Sequence, residues 1–151
     1  METEMSVLIG EDNSDDAELL RVAWRYVGPR ATPHIVSDGQ EVVDYLRGAG
    51  RYRDRQQYPL PDLLLTDLKM PRMGGFEVLR WMREHPEHGG TPTIVFSASG
   101  LPQDIRRAYE LGAKAYLVKP TTLQELREVI TVACGFWSRC ERPTDELMAV
   151  A

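Results

Sequence analysis

Short, wholly apolar runs alternate with longer amphipathic stretches along this chain, and that alternation restricts the fold to α/β with a parallel sheet. The first run is Ser6-Val7-Leu8-Ile9, followed by Leu19, Leu20, Ala23, Trp24 and Val27 at helical spacing up to Gly28-Pro29. His34-Ile35-Val36 forms a second run, and Ser37-Asp38-Gly39 turns into a helix carrying Val42, Val43 and Leu46. Leu63-Leu64-Leu65 is the third run, apolar throughout as a strand covered on both faces requires. A helix through Phe76, Leu79 and Met82 follows Gly75 and stops at Pro86. Thr93-Ile94-Val95-Phe96 precedes a helix marked by Ile105, Ala108, Tyr109 and Leu111, ended at Gly112. Tyr116-Leu117-Val118 is the fifth strand, and Thr121 or Thr122 caps a last helix through Leu123, Leu126, Val129 and Ile130.

Five β–α units thus occupy residues 5–134, the expected domain. Two segments fall outside the alternation. Residues 49–60 form a long loop holding Arg51, Tyr52, Arg53, Arg55 and Tyr58, and residues 135–151 form a tail or an extension of the last helix. That tail is too short to fold as a second domain. It contains Phe136 and Trp137, which either cap the domain's own edge or carry the last helix into a dimer contact.

In an open parallel sheet, ligands bind beyond the carboxyl ends of the strands, where the strand order reverses. Strand one is followed, after Gly10, by Glu11 and Asp12; strand three leads through Thr66 to Asp67. Strand four ends at Ser97 and strand five at Lys119. Each residue alone has an ordinary reading: acids before a helix serve its dipole, an Asp after a strand makes a turn, a Ser caps, a Lys is solvated. Their coincidence at one edge is what those readings do not predict. Clustered carboxylates repel one another and need a cation or raised pKa values. Mg²⁺ suits them, since it takes oxygen ligands and keeps waters at its remaining positions. A carboxylate beside such an ion can take a phosphoryl group, with the ion, Lys119 and Ser97 neutralising the three equatorial oxygens.

These residues resemble the receiver domains of two-component response regulators. The resemblance rests on Glu11-Asp12, Asp67-Leu68-Lys69-Met70-Pro71, Ser97-Ala98 and Lys119-Pro120, on Asp38-Gly39 and Gly75, and on Ala108 through Gly112-Ala113 to Tyr116. It implies a flavodoxin-like (βα)₅ doubly wound sheet with strand order 2-1-3-4-5. It implies Asp67 as phosphoacceptor, and a metal held by Asp12, Asp67 and the backbone carbonyl of Lys69, with Glu11 acting through water. Ser97 and Tyr116 would form the switch pair, and Lys119-Pro120 would be a cis peptide. The phosphodonor would be a sensor histidine kinase or a histidine phosphotransfer protein. Beyond its own phosphorylation and dephosphorylation, no enzymatic turnover is implied. Glu11 stands where Asp is commoner and Gly74 where an acidic or amide residue is commoner, while Lys69 and Ser99 occupy the positions that tune the lifetime of the aspartyl phosphate. The long loop and the Phe76 to Trp81 stretch resemble small stand-alone regulators of phytochrome-type sensor kinases, with signalling through a partner in trans, or drainage of phosphate from a relay.

Composition and rival chemistries narrow the reading further. The 151 residues fit one domain, and 42% hydrophobic with 27% charged content is that of a globular chain. A formal net charge of −5 argues against general nucleic-acid binding. The acidic start without an apolar h-region, and the lack of a membrane-length apolar run, lead us to expect a cytoplasmic protein that does not enter membranes. Cys134 and Cys140 lack a CxxC partner and read as one packed and one near-surface thiol, both reduced. His34 reads as packed, while His85 and His88, three apart around Pro86, read as solvated. A phosphatase with an aspartyl nucleophile would carry a second Asp two residues on, where Lys69 stands. A flavin site would need Gly, Ser and Thr groups after strand one, where four carboxylates stand between Glu11 and Asp16. A pseudo-receiver would have lost Asp67, Lys119 or the acidic pair.

Overall fold

The computed structural model describes residues 5–27 and 31–141. Five parallel strands form one sheet in the order β2-β1-β3-β4-β5. They are β1 (Met5–Gly10), β2 (Ala31–Val36), β3 (Leu63–Thr66), β4 (Thr93–Ser97) and β5 (Ala115–Val118). The helices are α1 (Ser14–Trp24), α2 (Gly39–Arg47), α3 (Gly75–Glu84), α4 (Pro102–Glu110) and α5 (Leu123–Arg139). The alternation called for a parallel α/β sheet, and the strand order is the flavodoxin-like 2-1-3-4-5 that the resemblance implied.

Alternate residues of the strands feed two different cores, as the pleat requires. Val7, Ile9, Leu63, Leu65, Ile94 and Phe96 pack under α1 and α5 with Leu20, Trp24, Leu126 and Ile130. Leu8 and Leu64 face the other way, against Val42 and Leu46 of α2 and Val78 and Met82 of α3. Val95 joins Leu79, Ala108 and Ala113 beneath α3 and α4. Both faces are therefore covered, which is why the strands read as unbroken apolar runs.

The boundaries differ from the sequence expectation in two places. Helix α1 ends at Trp24, and Tyr26 and Val27 continue it only with tighter bonds to the carbonyls of Ala23 and Trp24. The expected stop at Gly28-Pro29 lies outside the described residues. Strand β2 begins three residues early, at Ala31, and includes Pro33. It tolerates proline because it is an edge strand paired only with β1, so one ladder side needs no donor. Side-chain caps come from Asn13 for α1, Asp38 for α2 and Thr122 rather than Thr121 for α5.

Helix α5 runs on through Phe136 and Trp137 to Arg139. Trp137 packs against the α1–α5 core, whereas Phe136 is 63% exposed. Cys134 is buried and Cys140 intermediate. Burial pushes the Cys134 thiol up to about 12, so it stays protonated and inert. His34 is half-buried against the rings of Tyr45 and Tyr58, and burial lowers its pKa. Residues 49–60 are built, not extended: a 3₁₀ turn (Gly50–Tyr52) places Tyr52 at 3% exposure among Tyr45 and Tyr58. The Arg55 guanidinium donates to the carbonyls of Tyr45 and Leu46, the open end of α2, and to that of Tyr58.

Candidate functional site

Strands β1 and β3 are neighbours although β2 lies between them in sequence, so the order reverses there, and their carboxyl ends carry the acids. Glu11 follows β1 directly and is 3% exposed; its N–H donates to the Val36 carbonyl. Asp67 follows β3, is 8% exposed, and its N–H donates to the Gly10 carbonyl. The sheet's own hydrogen bonds thus fix the backbone beneath both carboxylates. Asp12, one residue beyond Glu11, is exposed. Ligand oxygens of Glu11, Asp12 and Asp67 lie within 4.8 Å of one another.

Lys119 follows β5 and is anchored by its N–H to the Ser97 carbonyl. Its ammonium lies 2.6 Å from Glu11 Oε2, 2.7 Å from Asp67 Oδ2 and 3.0 Å from Asp16 Oδ2. Burial alone would lower the lysine pKa, but its hydrogen bonds to Asp67 and Glu11 outweigh that and raise it, so the amine is charged. Burial raises the Glu11 pKa, and the hydrogen bond and charge of Lys119 only partly offset it. One ammonium meets three carboxylates, and Asp12 lies beside two of them, which leaves the pocket anionic. Hard oxygen donors in this number, so closely set and under-neutralised, fit a divalent cation of the Mg²⁺ type.

Lys119-Pro120 does not follow the expected cis form: the described residues contain no cis peptide bond. The lysine reaches the acids from a trans peptide.

Ser97 ends β4 at 2% exposure, and its Oγ accepts the Ser99 N–H at 3.2 Å. Tyr116 on β5 donates its hydroxyl to the Ser99 carbonyl at 2.8 Å. Ser99 Oγ in turn donates to Asp104 Oδ2 at 2.5 Å, on the first turn of α4. Ser99 therefore links Ser97, Tyr116 and α4, a bridging role the sequence did not show, where it stood only at a position expected to tune the lifetime of the aspartyl phosphate. A cleft of about 420 Å³ opens beside Asp67, lined by Lys69 and residues 97–101.

The β3–α3 loop is strapped to β2–α2. Arg72 donates through Nε and Nη2 to Asp38 Oδ2 at 2.9 and 2.6 Å, and Gly39 N–H donates to the Met73 carbonyl. Arg72 holds φ 63°, the left-handed region, which costs a non-glycine residue about 1 kcal/mol and so needs such a strap. Gly75 opens α3 against the backbone of the site: a Cβ there would collide with the Asp67 carbonyl oxygen. Gly74 likewise leaves no room, its Cβ falling 2.8 Å from the Leu68 carbonyl oxygen.

Two features were not anticipated. Asp16 belongs to an acidic run whose helical position suggests only a dipole partner, and Arg72–Asp38 joins residues 34 apart. His85 and His88 stack on Trp81 and are half-buried rather than solvated; the one acidic or imidazole cluster of metal-binding spacing among the described residues is Glu11, Asp12 and Asp67.

Residues 7–131 match the response regulator receiver domain. The chain belongs to that family, which serves two-component signalling. Among proteins similar to it, the probable methanogenesis regulatory protein FilR2 of Methanothrix harundinacea is 31% identical over 134 residues, covering 87% of this chain and 82% of that one. Response regulator Rcp1 of Synechocystis sp. is 28% identical, over 87% of each chain. In structure, the chain is similar to response regulator RPA3017 of R. palustris red-light signalling, with TM-score 0.86 and 34% identity over 93% of this chain and 99% of that one. The phosphorylated cyanobacterial phytochrome response regulator RcpA gives TM-score 0.84 and 29% identity over 94% and 100%. No helix among the described residues is long and apolar enough to cross a membrane.

Proposed function

We propose that Asp67 accepts a phosphoryl group from a sensor histidine kinase or histidine phosphotransfer protein, and that the chain signals by phosphorylation-dependent binding to a partner. The observation that carries this reading is the Asp67 carboxylate itself: nearly buried, its Oδ2 2.7 Å from a charged Lys119 and its oxygens within ligand distance of two further acids. A carboxylate nucleophile has no hydroxyl or thiol proton to remove, so it needs no general base. Glu11, Asp12, Asp67 and the carbonyl of Lys69 would hold Mg²⁺, Glu11 through water; when bound, the ion neutralises charge on the phosphoryl oxygens.

An Asp67 oxygen forms the new bond to phosphorus as the donor's P–N bond breaks, and the departing imidazole keeps or takes up a proton. Lys119 holds a second phosphoryl oxygen, and the Ser97 hydroxyl with a backbone N–H the third. Ser97 and Tyr116 form the switch. To serve the phosphoryl group, the serine hydroxyl must turn from its bond with the Ser99 N–H, and Tyr116 must give up the Ser99 carbonyl to enter the space left. Chemistry stays with the chain's own phosphorylation and dephosphorylation; no turnover of a phosphate-ester panel is expected.

The test is intact-mass measurement after incubation with Mg²⁺ and acetyl phosphate. One base-labile adduct is expected, requiring Mg²⁺ and absent from Asp67→Asn. No adduct in either protein, repeated with a phosphorylated kinase as donor, would mean a silent receiver. Gly75→Ala should slow uptake by about tenfold or more, because its Cβ must displace the Asp67–Leu68 backbone and shifts near 1 Å cost heavily in positioned chemistry. Stopped-flow phosphorylation would check this.

The kinase we propose is phytochrome-type, on the similarity to RcpA and RPA3017, and we place this chain itself in the cytoplasm. Its contact with residues 49–60 would use the exposed Arg53, Gln56 and Gln57. We also propose a homodimer through α5 and β5, where Val132 (71%), Phe136 and Val118 stand exposed. Sedimentation of a monomer both with and without phosphorylation would reject it.

A further inference from the structure

Lys119 has three ammonium N–H groups and three carboxylate partners among the described residues: Glu11, Asp67 and Asp16. Two of these belong to the set with metal-binding spacing, and the third does not. Asp16 sits on the first turn of α1 with a side chain 41% exposed, whereas Glu11 and Asp67 expose 1% and 11%. The lysine therefore occupies two of the carboxylates a divalent cation needs, and it has one partner it can keep when they are withdrawn.

We propose that Asp16 is a positioning residue for Lys119, holding the ammonium in place while Glu11 and Asp67 are given over to the metal. This rests on the phosphoacceptor reading above. Without Asp16, all of the lysine's attachment falls on Glu11 and Asp67. The ammonium then competes harder with the cation for those carboxylates. It also loses the anchor from which it reaches a phosphoryl oxygen after Asp67 is modified. Asp16 acts through Lys119 and touches neither the ion nor the phosphoryl group.

Asp15 is the natural control. It carries the same charge in the same helical turn, is exposed, and is not a partner of Lys119. A role in helix-dipole stabilisation or in general negative potential would be shared by both residues.

Mg²⁺ titration by isothermal calorimetry of the full chain is the test, in the wild type, Asp15→Asn, Asp16→Asn, Lys119→Met and the Asp16→Asn/Lys119→Met double variant. Asp16→Asn should weaken Mg²⁺ binding about fivefold, the scale of one ion pair with a partly exposed member. Asp15→Asn should leave the affinity close to wild type. In the Lys119→Met background the Asp16 effect should vanish, since the group it positions is gone. An affinity of Asp16→Asn equal to that of Asp15→Asn overturns the proposal. So does an undiminished Asp16 effect without Lys119, which would mean direct action on the ion. A wild type that binds no Mg²⁺ would instead overturn the phosphoacceptor reading, and this inference with it.

Discussion

Lys119→Met is expected to lower the unfolding free energy of the metal-free protein by about 3 kcal/mol at pH 7 but only about 1 kcal/mol at pH 5.5. Among the described residues the lysine is the one cation within hydrogen-bonding reach of the buried Glu11 and Asp67 carboxylates. Removing it leaves them facing each other in a pocket where burial already raises the Glu11 pKa. Glu11 will then take up a proton on folding rather than remain charged. The cost of that proton is bounded by the gap between the solution pH and the ordinary value of 4.5, at about 1.4 kcal/mol per unit. The sign follows directly. A folded pKa raised above the unfolded one confers stability fully present below pH 4.5 and lost as pH rises through the folded value, so the variant weakens toward neutrality. Urea denaturation in EDTA at the two pH values measures both numbers. Millimolar Mg²⁺ should restore much of the loss at pH 7, because the cation replaces the missing charge and binds only the folded chain. An equal loss at both pH values would show that the lysine matters through its packed stem and not its charge.

That site was legible in the sequence because a parallel sheet imposes a simple rule. Strands covered on both faces must be continuously apolar, so the polar residues directly after each run mark the ligand edge. Glu11, Asp67, Ser97 and Lys119 all follow from it. The rule weakens where a strand is only half covered. Strand β2 contains Thr32, Pro33 and His34, and as an edge strand it shows no unbroken run to betray its first three residues. Contacts set by tertiary approach left no local trace. Asp16 reads as an ordinary helix-start acid until the fold brings a lysine 103 residues away to it. Arg72 carries no mark of its left-handed backbone or of the buried Asp38 it binds. The cis form of Lys119-Pro120 came from family resemblance alone, with no local signal behind it, and it failed, as did the expectation that His85 and His88 are solvated.

Residues 49–60 were the least legible segment, and the second large effect is expected there. Tyr52→Ala should cost about 3 kcal/mol, the scale of deleting a fully packed aromatic ring. The ring is 3% exposed, lies 5.0 Å from Tyr45 and 5.1 Å from Tyr58 between centroids, and sits edge-on to the latter. Its hydroxyl donates to Glu41 Oε2 at 2.8 Å and accepts from Arg51, while burial pushes its pKa up to about 12. Tyr52→Phe, which keeps the ring and drops only that bond, should lose about 1 kcal/mol. Arg53→Ala, exposed one residue on, should stay within about 0.5 kcal/mol of wild type. Denaturant midpoints for the three variants rank these costs. A loop that is merely a solvated excursion would make Tyr52→Ala as mild as Arg53→Ala. The packing also decides how kinase recognition must be probed. Deleting the segment would uncover Tyr45, which is fully buried, and remove the Arg55 cap from α2, so lost binding could reflect a damaged domain. Substitutions at Arg53, Gln56 and Gln57 leave the tyrosine cluster intact, and a loss of kinase affinity there would belong to the surface alone.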